Sequence, residues 1–243
     1  MQTVSALYNT IIAQTNHWFE TKVTINGVTY GEDKLMSVTA TNRIFASEQP
    51  TVGGCLSGEL EVKMLAPTVA IPRMAEVRPY VRVLSEEYPD ADTWIPQGVY
   101  FIDTRETTHN DNGLDILKIH CYDAMLKAEA DYPSTSHTWP YSDKNVVKEI
   151  AWAMGLQANA SYTSGIDSRT LTLMNKNYQI YAPIGYSMRE VLGNIAAMYA
   201  GNWIMNYEGK LRLITLTELP SETNYLVDNA YEAITFGGDR ILV

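Results

Sequence analysis

The chain has 243 residues, 18 Lys/Arg against 28 Asp/Glu, a net charge of −10, 46% apolar residues and 10% aromatics. That composition supplies one large core or two smaller ones and is too apolar and aromatic for a disordered chain. No apolar run approaches the ~18–20 residues of a membrane-spanning helix, so no membrane insertion is expected; no basic residue precedes Lys22, so a secretory leader is not expected either.

Residues 3–12 read as a short helix capped by Thr3, with Val4, Leu7 and Ile11 on one face. Residues 22–30 read as a hairpin whose turn, Asn26-Gly27, supplies the two positive φ angles of a type I′ turn. A strand over 36–45 and a loop over 46–54, marked by Pro50, Gly53 and Gly54, follow. In residues 58–64, Leu60, Val62 and Met64 alternate with Glu59, Glu61 and Lys63, the pattern of a strand with one buried and one wet face. Residues 77–84 repeat it, and Pro79 suggests an edge strand or a strand start. Residues 85–93 connect to a strand over 94–106, and a loop at 109–113 leads to a last strand over 114–122. Short strands at this spacing predict an antiparallel barrel or sandwich across residues 1–125.

After Asp123 the pattern changes to an α+β unit over residues 126–217. Residues 124–130 form one or two helical turns before Pro133. A helix follows Ser142 and ends at Gly155, with Val146, Val147, Ile150, Ala151 and Met154 as its buried stripe. A second helix opens on the capping box Ser187/Glu190, buries Val191, Leu192, Ile195, Ala196 and Tyr199, and ends at Gly201. Residues 169–174 and 178–181 read as strands, and 202–207 with 210–216 as a hairpin turning at Glu208-Gly209. The two helices match at an offset of 45: Tyr141/Tyr186, Ser142/Ser187, Val146/Val191, Ile150/Ile195 and Ala151/Ala196 are identical pairs. Either two capped amphipathic helices look alike, or a β-α unit is duplicated. Residues 218–243 return to extended sequence: a strand at 233–236, a turn at Gly237-Gly238 and the start of another strand at 241–243, leading toward the first or a second barrel.

No catalytic pattern stands out. The four histidines, His17, His109, His120 and His137, lack partners at metal spacing; neighbouring His120 and Cys121 point to opposite faces of a strand. Cys55 and Cys121 are expected as small buried thiols. Asp103/Glu106 and Glu59/Glu61 read as solvated carboxylates rather than an acid/base pair. The pair Arg78/Arg82 is the longest basic grouping, too little to grip nucleic acid. No enzymatic activity, cofactor or metal is therefore expected. Trp94, Tyr100 and Tyr122 leave a second function open, a carbohydrate-binding module for host cell-wall glycans.

Three stretches resemble the N-terminal part of bacteriophage and prophage tail hub proteins, the baseplate-hub or tail-associated class. They are WIPQGVYFIDTRE (94–106) with LDILKIHCYDAMLK (114–127); the helix over 146–155; and YSMREVLGNIAAMYAGNW (186–203) with the hairpin after it. The resemblance implies a β-rich α+β fold: a tube-like N-terminal barrel, an inserted α+β domain with two main helices, and the start of a second barrel. It implies a virion structural protein of the tail tip, synthesised in the bacterial cytoplasm. Three copies would form a ring that continues the tail tube. Its partners would be the tube or distal tail protein on one side and a spike, fibre or lysin element on the other, with DNA passing through ungripped. Family members run on through a complete second barrel and often carry a lysin or fibre. This chain reaches only the start of that barrel, and no lytic activity is carried over to it.

Charge follows the same division: −7 over residues 1–125, +1 over 126–217 and −4 over 218–243. Acidity concentrated in the barrel segments is expected to line the conduit in part, and Glu59 and Glu61 are the candidate lumen-facing residues.

Overall fold

The computed structural model describes residues 4–45, 49–109, 113–133 and 138–216, together with the backbone of 235–236 and 239–240. Helix α1 (Ala6–Ile12) is capped by Ser5, whose side chain accepts from Tyr8 N, and it buries Ile11. The expected cap, Thr3, lies outside the described residues. Strands β1 (His17–Ile25) and β2 (Val28–Tyr30) form the expected hairpin, with φ of 48° at Asn26 and 82° at Gly27. Then come β3 (Leu35–Thr41), shorter than expected, β4 (Glu59–Leu65) and β5 (Glu76–Ser85). Residues 94–106 are not one strand: β6 (Ile95–Pro96) is separated from β7 (Tyr100–His109) by a kink at Gly98, and β8 (Asp115–Asp123) ends the series.

These eight strands make one antiparallel sheet in the order β2-β1-β5-β7-β8-β4-β3, with β6 on β5. The described strands do not close into a barrel: β2 and β3 end the order with one neighbour each. The sheet nevertheless curls, because Val23 and Ile25 near one end share a core with Leu60, Val62 and Met64 near the other, and with Val77, Ile102, Ile119 and Cys121 between them. Pro79 is neither at an edge nor at a strand start. It sits inside β5, where β5 changes partner between β7 at Glu76 and Val77 and β6 at Tyr80 and Val81. Its carbonyl accepts from Gln97 N, so its nitrogen faces the same break, where no donor is called for.

The α+β unit begins with a 3-10 helix (Ala124–Glu129) capped by Asp123. Next are β9 (Tyr141–Ser142) and α2 (Asp143–Ala153). Ser142 holds the cap position without a side-chain bond; Asp143 instead accepts from Lys144 N. Residues 169–174 are not a strand: 169–173 belong to helix α3 (Ser168–Leu173) and Met174 is its C-cap. Asp167 caps it, accepting from Arg169 N, a local bond that outweighs the alternating Thr170, Leu171, Thr172 and Leu173. After β10 (Gln179–Ile180) comes α4 (Met188–Met198), whose capping box at Ser187/Glu190 is fully formed. The hairpin of β11 (Gly201–Met205) and β12 (Leu211–Thr215) turns through Gly209 at φ 76°. Two short strands, β13 (Thr235–Phe236) and β14 (Asp239–Arg240), pair with each other; the expected strand at 241–243 lies outside the described residues.

The second core unites Val146, Val147, Ile150, Ala151 and Met154 of α2 with Val191, Leu192, Ile195 and Ala196 of α4 beneath Trp203, Leu211 and Leu213. Two carboxylates of α2 are buried in it, each answered by a phenol: Tyr199 donates to Asp143 at 2.6 Å and Tyr132 donates to Glu149. The offset of 45 extends to the helix limits, since Asp143–Ala153 maps onto Met188–Met198, and to the left-handed residues that follow, Gly155 (φ 73°) and Ala200 (φ 50°). It stops there, because α4 runs into β11 whereas the next element after α2 is a helix.

Residues 53–56 join the two units. Gly53 N donates to Gly201 O at 2.8 Å, Trp203 N to Gly54 O at 2.8 Å and Leu56 N to Trp203 O at 2.9 Å, so this loop lies beside β11, with Cys55 and Trp203 forming a parallel bridge. Asn202, almost fully buried, donates to Ile44 O and Thr51 O and accepts from Gly54 N at 2.8 Å. Gly193 of α4 lets the loop approach, for a Cβ there would stand 2.7 Å from Gly53 O. Both thiols are buried and unpaired, and burial pushes each up to about 12.

Gly193→Ala is expected to destabilise the chain by ~1–3 kcal/mol in urea unfolding. The helical gain of ~1 kcal/mol for Gly to Ala is outweighed by a contact with backbone that has no free direction to yield. A second expectation concerns Asp167. Burial pushes its carboxyl up, but bonds from Arg169 and Asn206 more than reverse this and hold it at about 2, against an ordinary 3.8. A depressed folded value means the carboxylate stabilises the fold above about pH 4 and loses that contribution as pH falls toward 2. Asp167→Asn should therefore flatten the acid limb of a stability–pH profile between those values.

Candidate functional site

The sheet places Glu59 and Glu61 of β4 on its solvent-facing side, opposite the buried Leu60, Val62 and Met64. Their neighbours across β8 are basic or titratable. Lys118 Nζ lies 3.2 Å from Glu61 and His120 Nε2 lies 3.9 Å from Glu59. Thr104, Arg105 and Glu106 of β7 join Glu61, Lys118 and His120 around one shallow concavity on this face. Adding Lys63, exposed on the same side of β4, the face carries mixed charges rather than an acidic strip. His120 and Cys121 do point to opposite faces, the first half-buried against Tyr122 and the second fully buried.

Backbone is left without a strand partner, among the described residues, on the outer side of β3 and along much of β7. β3 is bonded among them only to β4, and its seven residues, LMSVTAT, contain no charge and no proline. β7 meets β5 only at Tyr100 and Phe101, so beyond Ile102 its strand partner among the described residues is β8 alone, and Asp103 through His109 are all exposed. Edges are usually blunted by Lys, Pro or bulges. β3 has only a bulge near Leu35.

The aromatics do not gather into a sugar platform. Lys22 Nζ stands 4.0 Å and Arg82 Cζ 4.8 Å from the Trp94 ring centre, so cations already cover the indole. Tyr100 is buried and Tyr122 packs edge-on against His120. The pair Arg78/Arg82 is also engaged, with Glu76 and Glu20 respectively, each at 2.6 Å. Asp103 and Glu106 are exposed on β7. Of the remaining histidines, His17 bonds Gln14 O, exposed His109 pairs with Asp115, and His137 lies outside the described residues. Among the described residues no group of three or more His, Cys, Asp or Glu is placed to hold a metal ion.

Sequence reasoning missed the polar cluster at the junction of the two units. Asp123 accepts from Gly58 N at 2.6 Å, Ser57 Oγ at 2.9 Å and Met125 N at 2.9 Å; burial pushes its carboxyl up, with these bonds opposing. Arg189 donates to Cys55 O and, at 3.3 Å, to Met125 O, and pairs with Glu129 at 2.6 Å. Only the Asp before a helical turn was a usable signal; the partners of Arg189 are 64 and 134 residues away.

No family model matches the chain, and no curated protein matches it. Solved structures do. The 43 kDa tail protein of prophage MuSo2 from Shewanella oneidensis superposes on 86% of this chain with a TM-score of 0.54 at 12% identity. The tail protein of Neisseria meningitidis MC58 covers 80% (TM-score 0.47, 11% identity, 51% of its own length), and the Francisella PdpA-VgrG complex 83% (0.44, 8%, 31%). The chain spans 59% of the length of the Shewanella protein. Its fold is that of this prophage tail protein.

Proposed function

We propose that the chain is a structural subunit of a phage or prophage tail tip, part of a trimeric hub ring that continues the tail tube and joins it to a spike or fibre. The observation that carries this reading is the shared fold, extending over 86% of the chain through both the sheet and the α+β unit. The open, uncharged β3 edge supports it, because such an edge is a template for a strand from a neighbouring copy. The partners are the tail tube or distal tail protein on one side and a spike, fibre or lysin element on the other. The protein is made in the bacterial cytoplasm and acts in the virion, in a mechanical role with no catalytic step.

In this reading the face bearing Glu59 and Glu61 lines the conduit. Lys118 and His120 offset part of the acidity, leaving a polar wall with no basic patch to hold DNA. Glu59→Lys with Glu61→Lys should then make assembled rings retain duplex DNA at low salt, measured by gel shift. Rings that ignore DNA in both forms would remove these residues from the wall.

Native mass spectrometry and negative-stain imaging test the assembly. The expected result is a threefold ring, with antibody label at tail tips of intact particles. A strictly monomeric chain at every concentration, with no label on tails, sinks the proposal. Ser37→Lys with Thr39→Lys should abolish self-association while changing stability by less than ~0.5 kcal/mol, since both residues lie on an exposed strand.

A further inference from the structure

A groove of about 320 Å³ runs along the seam between the sheet and the β11–β12 hairpin. Its apolar lining comes from both units: Ile44 and Leu56 on one side, Ile204 and Ile214 on the other. Ile44 is 47% exposed, and Leu216, one step beyond β12, is 52% exposed. Two arginines line the same groove, Arg43 from the first unit and Arg212 from the second. Neither guanidinium has a hydrogen bond or ion pair among the described residues, and Arg212 Nε is shielded from solvent with nothing there to donate to. Asp123, the groove's carboxylate, is already committed to Gly58, Ser57 and Met125 and leaves both guanidiniums unanswered.

Unpaired guanidinium groups over an apolar floor fit a carboxylate-bearing segment with an apolar centre. The sequence itself contains such a stretch. Residues 218–232 carry Glu218, Glu222, Asp228 and Glu232 and no basic residue, and Glu222 and Asp228 bracket Tyr225, Leu226 and Val227. We propose that the groove receives residues 218–232 of a second copy of this chain, the apolar trio on the isoleucine floor and the flanking carboxylates on Arg43 and Arg212. This deepens the self-association reading and is measured apart from it: the β3 variants report on strand pairing, and peptide binding reports on the groove.

The test uses the full chain and a fluorescein-labelled peptide of residues 218–232, followed by fluorescence anisotropy at low salt. The expected result is saturable binding, weakened about tenfold or more by Arg43→Glu with Arg212→Glu and by raised salt. Arg43 is exposed, so Arg43→Ala alone should lower affinity without disturbing the fold. A peptide with Glu222→Lys and Asp228→Lys should not bind the unaltered chain, a comparison that needs no protein variant. Absence of saturable binding overturns the proposal, including the case in which the groove is filled by the chain's own residues. Equal binding of the two peptides overturns it as well.

Discussion

Everything in this fold depends on a four-residue loop that belongs to one unit by sequence and to the other by hydrogen bonding. Residues 53–56 leave the sheet of the first unit and lie alongside β11 of the second. The ladder pairs half-buried Gly53, Gly54 and Leu56 with buried Gly201 and Trp203, so the units cannot part without exposing several donors and acceptors at once. Asn202 and Arg189 close the arrangement by binding the loop from both sides, and the bare Cα of Gly193 gives it room. The second unit is therefore fixed on the first, rather than tethered to it.

What was readable in advance was local. Asn26-Gly27, the alternation through Leu60, Val62 and Met64, the Ser187/Glu190 box and the turn at Gly209 each encode their structure within a few residues, and each forms as expected. Helix α3 was misread because period-two alternation of Thr and Leu is a strand signal, while its decisive feature is a single cap at Asp167 that also binds Asn206 from a distant hairpin. The long strand over 94–106 was misread because a kink at Gly98 lets β6 and β7 take different stretches of β5. Openness of the sheet could not be read at all, since closure depends on whether β2 meets β3, a pairing with no signature in either strand.

The surface was partly legible. The strand pattern put Glu59 and Glu61 on the wet face, and they are there, but the cations beside them come from β8, some sixty residues on, and change the character of that face. Trp94 shows the reverse: its ring type suggested a ligand platform, and its three-dimensional neighbours Lys22 and Arg82 already occupy it. In both cases residue type was a correct observation, and charge brought in by the fold determined what the residue can do.

The two buried thiols carry a consequence for where such a fold can work. Cys55 and Cys121 sit in separate cores, unpaired, protonated at any physiological pH and out of reach of oxidants. No covalent cross-link between them holds the chain together, and no accessible sulfur among them can weaken it. A change from reducing to oxidising surroundings therefore leaves these two residues with no disulfide to form or break.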